Sequence, residues 1–570
     1  MHIEKNICDN ILGTLMNMKG KTKDNLQTRL DLQAMNIRPE PHPTKEGDTY
    51  TYRVASYVLS DEEKHKFCLF LKQLKVPDGY SSNISHSVNL KDHKISGLKS
   101  HDCHVILQNL LPLAIRGLLP KAVYEPLFEL SLFFNTLCAK VLKVDDLEKI
   151  QAQIPITLCK LEKIFPPSFF DIMVHLPIHL ALEALNGGPV QYRWMYFVER
   201  TMFVLKSLIR NSTRPEGSIA EGYIATECMT FCSRYLKGMK TKFNRSERNF
   251  DGGMNEFNGG LKIFNHPGRT LGAGRQCHLD PNELEQAHLY VLKNCDAVQS
   301  FLEEYSQTEA ISSQTLSDKE WDSQFIEWFK TRVSQMHKSD QSEEIKDLIA
   351  LSRGPTPYVT SYKGYICNGY RFHIEEHDKG LRTQNSGVIV VGENGIDVES
   401  IDYYGVLVEV LELQYLRGKR VVLFRCKWWD VYDRQRGVKI DEYGIVSVNF
   451  HRILKTNEPF VLASQVSQVF YAIDNNNKGW HVARKVQPRD TYSMPLEMED
   501  DVENLDHLNA AVQDALSSSP NFVPTTMSST EGEISLVRCD MEQISTSESA
   551  PKQTKKRKKD IFSAGQNEFK

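Results

Sequence analysis

The chain begins with a segment whose apolar positions follow the period of an α-helix. Ile3, Ile7, Ile11 and Leu15 recur every four residues, which predicts an amphipathic helix that ends before the Lys19–Gly20 pair. No Ser, Thr, Asp or Asn precedes the first of these residues to accept the free N–H groups of a first turn. We therefore expect this helix to be an interior part of a larger domain.

The helical period continues through most of the chain before residue 240. It is clearest in CHVILQNLLPLAIRGLLP (103–120), YEPLFELSLFFNTLCAKVL (124–142) and WMYFVERTMFVLKSLIR (194–210). Because these segments keep the helical period and have short connections, we predict that residues 102–237 form one all-helical body. Further helices are predicted within residues 281–352, as a helical connector.

Between residues 356 and 487 the apolar residues recur at every second position. Five segments show this alternation: YYGVLVEVLEL, KRVVLFRCKWWDVY, YGIVSVNF, FVLASQVSQVFYAI and GWHVARKV. Short alternating runs between glycine-containing turns are typical of antiparallel strands. The pattern predicts a small antiparallel β domain that folds independently.

Two regions lack any pattern that would form a core. Residues 241–280 are rich in Gly, Asn and Arg and predict a linker. Residues 488–570 are rich in Ser, Thr and acidic side chains, and we expect a disordered tail there. The predicted fold class is therefore α+β, with a mainly helical N-terminal body, a small antiparallel β domain and a disordered tail.

Composition and charge exclude several classes of protein. The 570 residues include 41% hydrophobic and 25% charged side chains, as in ordinary globular proteins, and no segment approaches the roughly 20 apolar residues of a membrane span. The net charge of -4 gives no overall attraction for nucleic acid, so such binding would need local patches. Twelve scattered cysteines indicate a reducing compartment, and we expect Cys228 and Cys232, the pair with a suggestive spacing, to pack in the core. No pattern indicates a small-molecule substrate.

Two histidine clusters have spacings that a metal ion would accept. His101 and His104 lie together in SHDCHV, and His175, His179 and Glu183 share one helical face in IMVHLPIHLALEAL. A proline between the second pair of histidines would kink that helix and loosen their spacing. The alternative for both clusters is buried histidines that bond to backbone carbonyls.

The predicted strand VVLFRCKWWDVY has two unlike faces. Every second residue from Val422 to Trp428 is apolar, so we expect this face to be core, whereas the opposite face carries Arg425 and Lys427, with Trp429 at the end of the run. Two cations beside an aromatic ring could contact phosphate groups and stacked bases, or an acidic peptide. The alternative is that these charges keep an outer sheet face soluble.

Five segments together carry a resemblance to a known family. They are HIEKNICDNILGTLMNMKGKTKDN, LKSHDCHVILQNLLPLAIRGLLP, GGPVQYRWMYFVERTM, RPEGSIAEGYIATECMTFCSRYL and YYGVLVEVLELQYLRGKRVVLFRCKWWDV. In this order they resemble the C-terminal half of plant CACTA (En/Spm-like) transposon proteins, in which a transposase catalytic region precedes the domains of unknown function 4218 and 4216. The resemblance implies a catalytic-region remnant at 1–30, a helical 4218-type domain at 70–237 and a β domain of the 4216 type at 356–487.

The resemblance also implies metal-dependent chemistry of which this chain holds only a part. A cut-and-paste transposase uses three carboxylates to hold two divalent ions, Mg²⁺ or Mn²⁺, about 3.5–4 Å apart. In the family, the segment that corresponds to residues 1–30 follows one catalytic aspartate, and another aspartate lies further upstream. Both aspartates are absent here, so we expect no independent activity.

Glu199 is the candidate for the third carboxylate. It lies on a predicted helix with apolar neighbours between residues 194 and 202 to anchor it, and Arg200 beside it is a candidate phosphate contact. Glu216 and Glu221 are the alternative carboxylates. The competing interpretation is that Glu199 is a solvated helix residue or an ion-pair partner.

Two classes of function remain, with transposon DNA or other transposase subunits as the expected partners. The favoured one is a transposon-derived, non-catalytic accessory that binds DNA or protein; the other is a part of an active DNA transposase. A basic run near the end of the chain predicts nuclear import, although it could equally be a solubilising tract; its members are Lys555, Lys556, Arg557, Lys558 and Lys559.

Overall fold

The predicted α+β class is confirmed by a computed structural model of the chain. The structure describes residues 2–236, 239, 241, 249–251, 260–312, 318–336, 342–392, 401–456, 458–475, 477–488, 536–538, 540–541 and 544–546. Helices dominate the first half, and a large antiparallel sheet occupies the second half.

The N-terminal body consists of helices with short connections, as the apolar periodicity predicts. These helices are α1 (His2–Leu15), α2 (Leu26–Ala34), α3 (Asp61–Gln73), α4 (Ser100–Val105), α5 (Leu111–Ile115), α6 (Lys121–Leu137), α7 (Val144–Ile164), α8 (Ile172–His175), α9 (Pro177–Gly187), α10 (Tyr196–Ser207) and α11 (Pro215–Tyr235). Two hairpins lie between them: β1 (Thr44–Glu46) with β2 (Thr49–Tyr52), and β3 (Val88–Asn89) with β4 (Lys94–Ile95).

Helix α6 shows how the sequence forms this body. Val123, Leu127, Leu130 and Phe134 follow one another at spacings of three and four and are all buried. Helix α6 packs mainly against α7, and then against α5 and the segment Ile106–Leu110 that precedes α5. None of the helices within the described ranges combines the length and the apolar character that crossing a bilayer requires.

A second group of helices lies between the body and the main sheet in the sequence. It comprises α12 (Pro281–Lys293), α13 (Asp296–Ser312), α14 (Asp318–Met336) and α15 (Glu343–Ser352), and a short α16 (Glu375–Asp378) follows within the sheet region. Asp280 caps the start of α12 by accepting a hydrogen bond from the Asn282 N–H at 2.9 Å.

The main sheet is antiparallel throughout. The strands of this region are β5 (Arg269–Leu271), β6 (Arg275–His278), β7 (Tyr358–Tyr362), β8 (Gly364–Cys367), β9 (Tyr370–His373), β10 (Gly387–Val390), β11 (Tyr403–Gln414), β12 (Arg420–Trp428), β13 (Val438–Ile440), β14 (Val446–Asn449), β15 (Phe460–Leu462), β16 (Ser467–Ile473) and β17 (Trp480–Lys485), and the main sheet contains all of them except β5, β8 and β9. The order is β13-β14-β17-β16-β10-β11-β12-β15, with β7 joining β11 and β6, while β5, β8 and β9 form a smaller adjoining sheet. A bulge at Val408 divides the long β11, whose first half pairs with β10 and whose second half pairs with β7.

Both faces of the sheet pack against other parts of the chain, while the independent folding of residues 356–487 stays a prediction. Phe424 and Phe470 belong to the core of the helical body, whereas Leu411 and Leu423 belong to a second core formed with α12–α15. The ring centroids of Tyr80 in the body and Phe470 in β16 lie 5.1 Å apart. The sheet therefore depends on apolar partners outside residues 356–487.

The predicted linker at 241–280 also contributes to the sheet. Strand β5 pairs with β8, and β6 pairs with β7. These strands are three and four residues long and rich in polar side chains, so their pairing comes from distant partners and not from a local pattern. Residues 242–248 and 252–259 of the linker lie outside the described residues.

Part of the predicted disordered tail has an ordered position on the N-terminal body. Strand β18 (Ile544–Thr546) pairs with β2, and Val537 is buried opposite Ala55. Arg538 binds both carboxylate oxygens of Glu63, at 2.5 and 3.1 Å. These few positions of the predicted tail thus have partners on the N-terminal body. The basic run from Lys555 to Lys559 lies outside the described residues.

Candidate functional site

A buried polar cluster connects α1, α4 and the end of α6. The Glu4 carboxylate is 3% exposed, and its Oε2 atom lies 2.7 Å from Nδ1 of His104. Gln108 donates from Nε2 to the other Glu4 oxygen at 2.8 Å. One ligand-type atom from each of Glu4, His104 and Cys138 lies within 4.8 Å of the others. These side chains form what we call the Glu4 cluster.

Local structure explains why these groups face one another. Glu4 is buried on α1 together with Ile7 and Cys8, three and four residues further along the helix. Gln108 lies in a π-helical segment, Ile106–Leu110, between α4 and α5, and such wide turns are frequent at functional sites. Cys138 is the residue that ends α6.

The charges in the cluster depend on burial and on hydrogen bonds. Burial alone would raise the pKa of Glu4, but the neighbouring His104 and the hydrogen bonds from His104 and Gln108 lower it below its usual value. Burial raises the pKa of the Cys138 thiol well above its usual value. The carboxylate is therefore ionised and the thiol is protonated at neutral pH.

The structure separates the two histidines of the SHDCHV cluster. His101 is buried with its Nε2 atom 3.5 Å from the Tyr80 carbonyl, while its ring stacks on His104 at a centroid distance of 5.6 Å. Asp102 between them caps α4, since its carboxylate accepts the Lys99 N–H at 2.9 Å. Only His104 joins the Glu4 cluster.

The second histidine pair lies on the surface. His175 ends α8, and the following proline starts α9, so the kink predicted at this proline separates two short helices. The rings of His175 and His179 are exposed, with centroids 5.3 Å apart. Glu183 is also exposed, on α9. The pair has room for a surface ligand.

The candidate catalytic glutamates lie on the α10–α11 helix pair. Glu199 is in the first turn of α10, Glu216 is in the first turn of α11, and Glu221 follows on α11; all three are exposed, and Arg200 is half-buried. The helices approach closely at Gly222, where an added Cβ would lie 3.0 Å from the Cβ of Leu208.

The start of α10 is anchored beside the Glu4 cluster. The Trp194 ring lies 5.3 Å from that of His104 and 5.2 Å from that of Tyr196, centroid to centroid. Burial raises the pKa of the Tyr196 phenol, and both the Glu4 and Glu199 carboxylates add to this effect. Glu199 is thus close enough to the start of α1 for both carboxylates to act on one phenol.

The remainder of the α10–α11 pair exposes apolar side chains. Val198 and Met202, which we expected to anchor Glu199, are 39% and 61% exposed. Cys228 and Cys232 are exposed too, so the prediction that they pack in the core is wrong. The other exposed apolar members of this face are Tyr223, Ile224, Met229, Phe231 and Tyr235. The helical period is present in the sequence, but the described residues leave these apolar side chains exposed.

The basic face of β12 is largely engaged within the protein. Arg425 binds Glu283 of α12 at 2.9 Å and lies 3.6 Å from Glu409 of β11. The Lys427 ammonium lies 5.1 Å from the centre of the Trp429 ring, which is buried. Glu283 of α12 thus lies on the side that the alternation suggested as an outer face, and both Arg425 and Lys427 are half-buried.

Sequence reasoning missed most of the Glu4 cluster. One signal was present, because Glu4 is a charged residue on the apolar face of the first predicted helix. Nothing in the sequence linked it to Cys138, which is distant in the chain. The pairing depends on how α1 and α6 meet in three dimensions.

Two family models match the chain, and both describe domains of unknown function. DUF4218 matches residues 137–250, which include Glu199, and DUF4216 matches residues 411–483, which include β12. Both kinds of domain are associated with transposase-like proteins. No curated protein and no solved structure matches the chain.

Proposed function

We propose that the chain is a transposon-derived protein of the CACTA type that binds DNA or protein without independent strand-transfer activity. The two family matches, in the order seen in transposase-like proteins, support the origin. The exposed position of Glu199 supports the absence of independent activity, because two divalent ions about 3.5–4 Å apart need several carboxylates around them.

The observation that carries this proposal is the isolation of Glu199 from other metal ligands. Within the described ranges, the group of metal-type side chains that comes together is Glu4, His104 and Cys138, and it does not include Glu199, Glu216 or Glu221. A single exposed carboxylate does not hold a pair of Mg²⁺ or Mn²⁺ ions in water.

A strand-transfer assay tests the proposal. The purified full chain is incubated with transposon-end DNA and Mg²⁺ or Mn²⁺, and we expect binding without cleavage. Metal-dependent cleavage that Glu199→Gln abolishes would overturn the proposal. Cleavage abolished by Glu216→Gln or Glu221→Gln, the alternative carboxylates, would overturn it as well, and Glu227→Gln, another exposed glutamate on α11, serves as the matched control.

The exposed apolar face of α10–α11 favours a second candidate, in which the chain is the C-terminal part of an active transposase. Apolar faces of this kind usually meet another protein surface. Here the partner is an upstream domain or subunit that carries the two aspartates and docks beside Glu199.

Reconstitution distinguishes the second candidate from the first. An aspartate-bearing upstream domain, produced separately, should restore cleavage when mixed with this chain. Phe231→Glu on the apolar face should prevent the restoration, whereas Tyr358→Glu, at an exposed position on β7, should not. Absence of cleavage in the unsubstituted mixture would eliminate this candidate.

We propose a nuclear location for either candidate. A transposon protein acts on chromatin, and five consecutive basic residues are a form that import receptors recognise. A fluorescent fusion of the full chain should concentrate in nuclei, and replacement of residues 555–559 by alanine should reduce the nuclear signal. Equal nuclear signal from both fusions would show that residues 555–559 do not direct nuclear import.

A further inference from the structure

The Glu4 cluster contains a conflict of hydrogen bonds that a bound cation would remove. The Nδ1 atom of His104 lies 2.7 Å from a Glu4 oxygen and must carry a proton to bond with that carboxylate. The same Nδ1 atom lies 3.1 Å from Nε2 of Gln108, which is itself a donor. One nitrogen cannot donate to the carboxylate and accept from the amide with the same lone pair.

Gln108 places its amide nitrogen at the centre of the three ligand-type side chains. It is within hydrogen-bond reach of Glu4, His104 and the Cys138 thiol. An amide nitrogen has only two protons for these three neighbours. A point that faces a carboxylate, an imidazole nitrogen and a thiol is better suited to a cation than to an amide.

We propose that Glu4, His104 and Cys138 bind one Zn²⁺ ion, with the amide oxygen of Gln108 as the fourth ligand. A rotation of the amide exchanges its nitrogen and oxygen, which have nearly the same shape. The imidazole then releases its Nδ1 proton to solvent, carries its remaining proton on Nε2 and offers the Nδ1 lone pair to the metal, so the conflict disappears. Cys138 binds as a thiolate, and its proton passes to solvent when the metal binds.

The distances allow this coordination after small side-chain movements. Zinc lies about 2.0–2.3 Å from nitrogen, oxygen and sulfur ligands, so neighbouring ligand atoms around a tetrahedral ion are about 3.3–3.8 Å apart. The three ligand-type atoms already lie within 4.8 Å of one another. The longest separations would contract by about 1 Å, while Glu4 Oε2 and His104 Nδ1, now 2.7 Å apart, would separate by about 0.6 Å.

A separate observation also indicates a missing partner at this place. The Tyr196 hydroxyl is buried and bonds to no described residue. Glu4 and Cys138 both act on this phenol. The hydroxyl could donate a hydrogen bond to a metal-bound carboxylate, as outer groups commonly do in zinc sites.

The ligand set favours zinc over the hard cations. Thiolate and imidazole bind Zn²⁺ well, whereas Mg²⁺ prefers oxygen ligands alone. Four protein ligands leave no open position, so the site is structural: it would join α1, α4 and α6. It is independent of the Mg²⁺ or Mn²⁺ chemistry considered for Glu199.

Metal analysis of the full chain tests the proposal. We expect one equivalent of zinc to remain after dialysis in metal-free buffer. When Co²⁺ replaces zinc, the chain should show a thiolate-to-cobalt charge-transfer band and the intense visible bands of tetrahedral cobalt. Absence of the charge-transfer band in the unsubstituted chain would overturn the proposal without any variant.

Matched cysteine variants assign the metal to the cluster. Cys138→Ser should remove the charge-transfer band and weaken zinc binding at least about tenfold, whereas Cys159→Ser, an exposed cysteine on α7, should leave both unchanged. Far-ultraviolet circular dichroism checks that both variants are folded. If Cys138→Ser retains the band of the unsubstituted chain, the metal binds elsewhere and the proposal fails.

Discussion

Removal of Arg29 should destabilise the N-terminal body strongly, because it leaves a buried carboxylate without its counter-ion. Arg29 is 1% exposed and binds both oxygens of Asp24, at 2.5 and 2.6 Å. It also donates to the Pro41 carbonyl at 3.1 Å, and Tyr57 donates its hydroxyl to Asp24 at 2.9 Å. In Arg29→Met, the Tyr57 hydroxyl would be the main remaining bond to this carboxylate.

The expected loss in the free energy of unfolding depends on whether one or both partners of the buried ion pair are removed. Removal of one partner typically costs about 3–5 kcal/mol, since the other charge stays buried and unpaired. In Arg29→Met with Asp24→Asn no uncompensated charge remains, so the double variant should recover about 1–3 kcal/mol of that loss. Lys64→Met, which removes a pair with the largely exposed Asp61, should cost at most about 1 kcal/mol.

Urea unfolding of the full chain, followed by far-ultraviolet circular dichroism, measures these differences. The helical body supplies most of the helical signal, so the transition of that body is the one to compare among variants. A loss below about 1 kcal/mol in Arg29→Met would refute the reasoning. The reasoning would also be refuted if Arg29→Met with Asp24→Asn were no more stable than Arg29→Met alone.

Three further predictions concern other parts of the chain. Burial lowers the pKa of His288 to about 4, so the folded chain holds this side chain in its neutral form. The free energy of unfolding should therefore fall by about 3 kcal/mol as the pH drops from 6.5 to 4. Urea unfolding across this pH range should show a weaker pH dependence in His288→Gln. Gly387→Ala should impair pairing of β10 with β16, because the new Cβ would overlap the Val469 carbonyl, whereas Gly380→Ala meets open space and should leave the melting temperature unchanged. Arg538→Ala should increase hydrogen exchange at residues 49–56, and unchanged exchange there would contradict docking of the tail.

The sequence predicted elements whose signal is local and missed those that depend on distant partners. Strands β11, β12, β14, β16 and β17 were predicted from alternation, and α6 and α10 from the helical period. Strand β6 pairs with β7 some 80 residues away, between Arg275 and Ser361, and has no apolar run of its own. Val421 and Leu423 were visible as apolar residues on the second face of β12, yet only α12–α15 show that this face is buried.

For the candidate site, the sequence identified one residue correctly but paired it with the wrong partner. His104 was identified from its spacing, but the spacing paired it with His101, while the fold pairs it with Glu4, 100 residues earlier. Local spacing constrains side chains on one element and says nothing about the element that packs across from it. The charged Glu4 on an apolar helix face was the sequence feature that could have indicated a buried polar partner.

The shared core of the helical body and the sheet has a consequence for how such genes diverge. The two family-matched regions, residues 137–250 and 411–483, lie on elements that bury Phe424 and Phe470 in one core with the helices. A recombination event that separates the regions leaves two fragments, each with a large uncovered apolar surface that favours aggregation and degradation. We therefore expect selection for solubility alone to keep the two regions together in one gene.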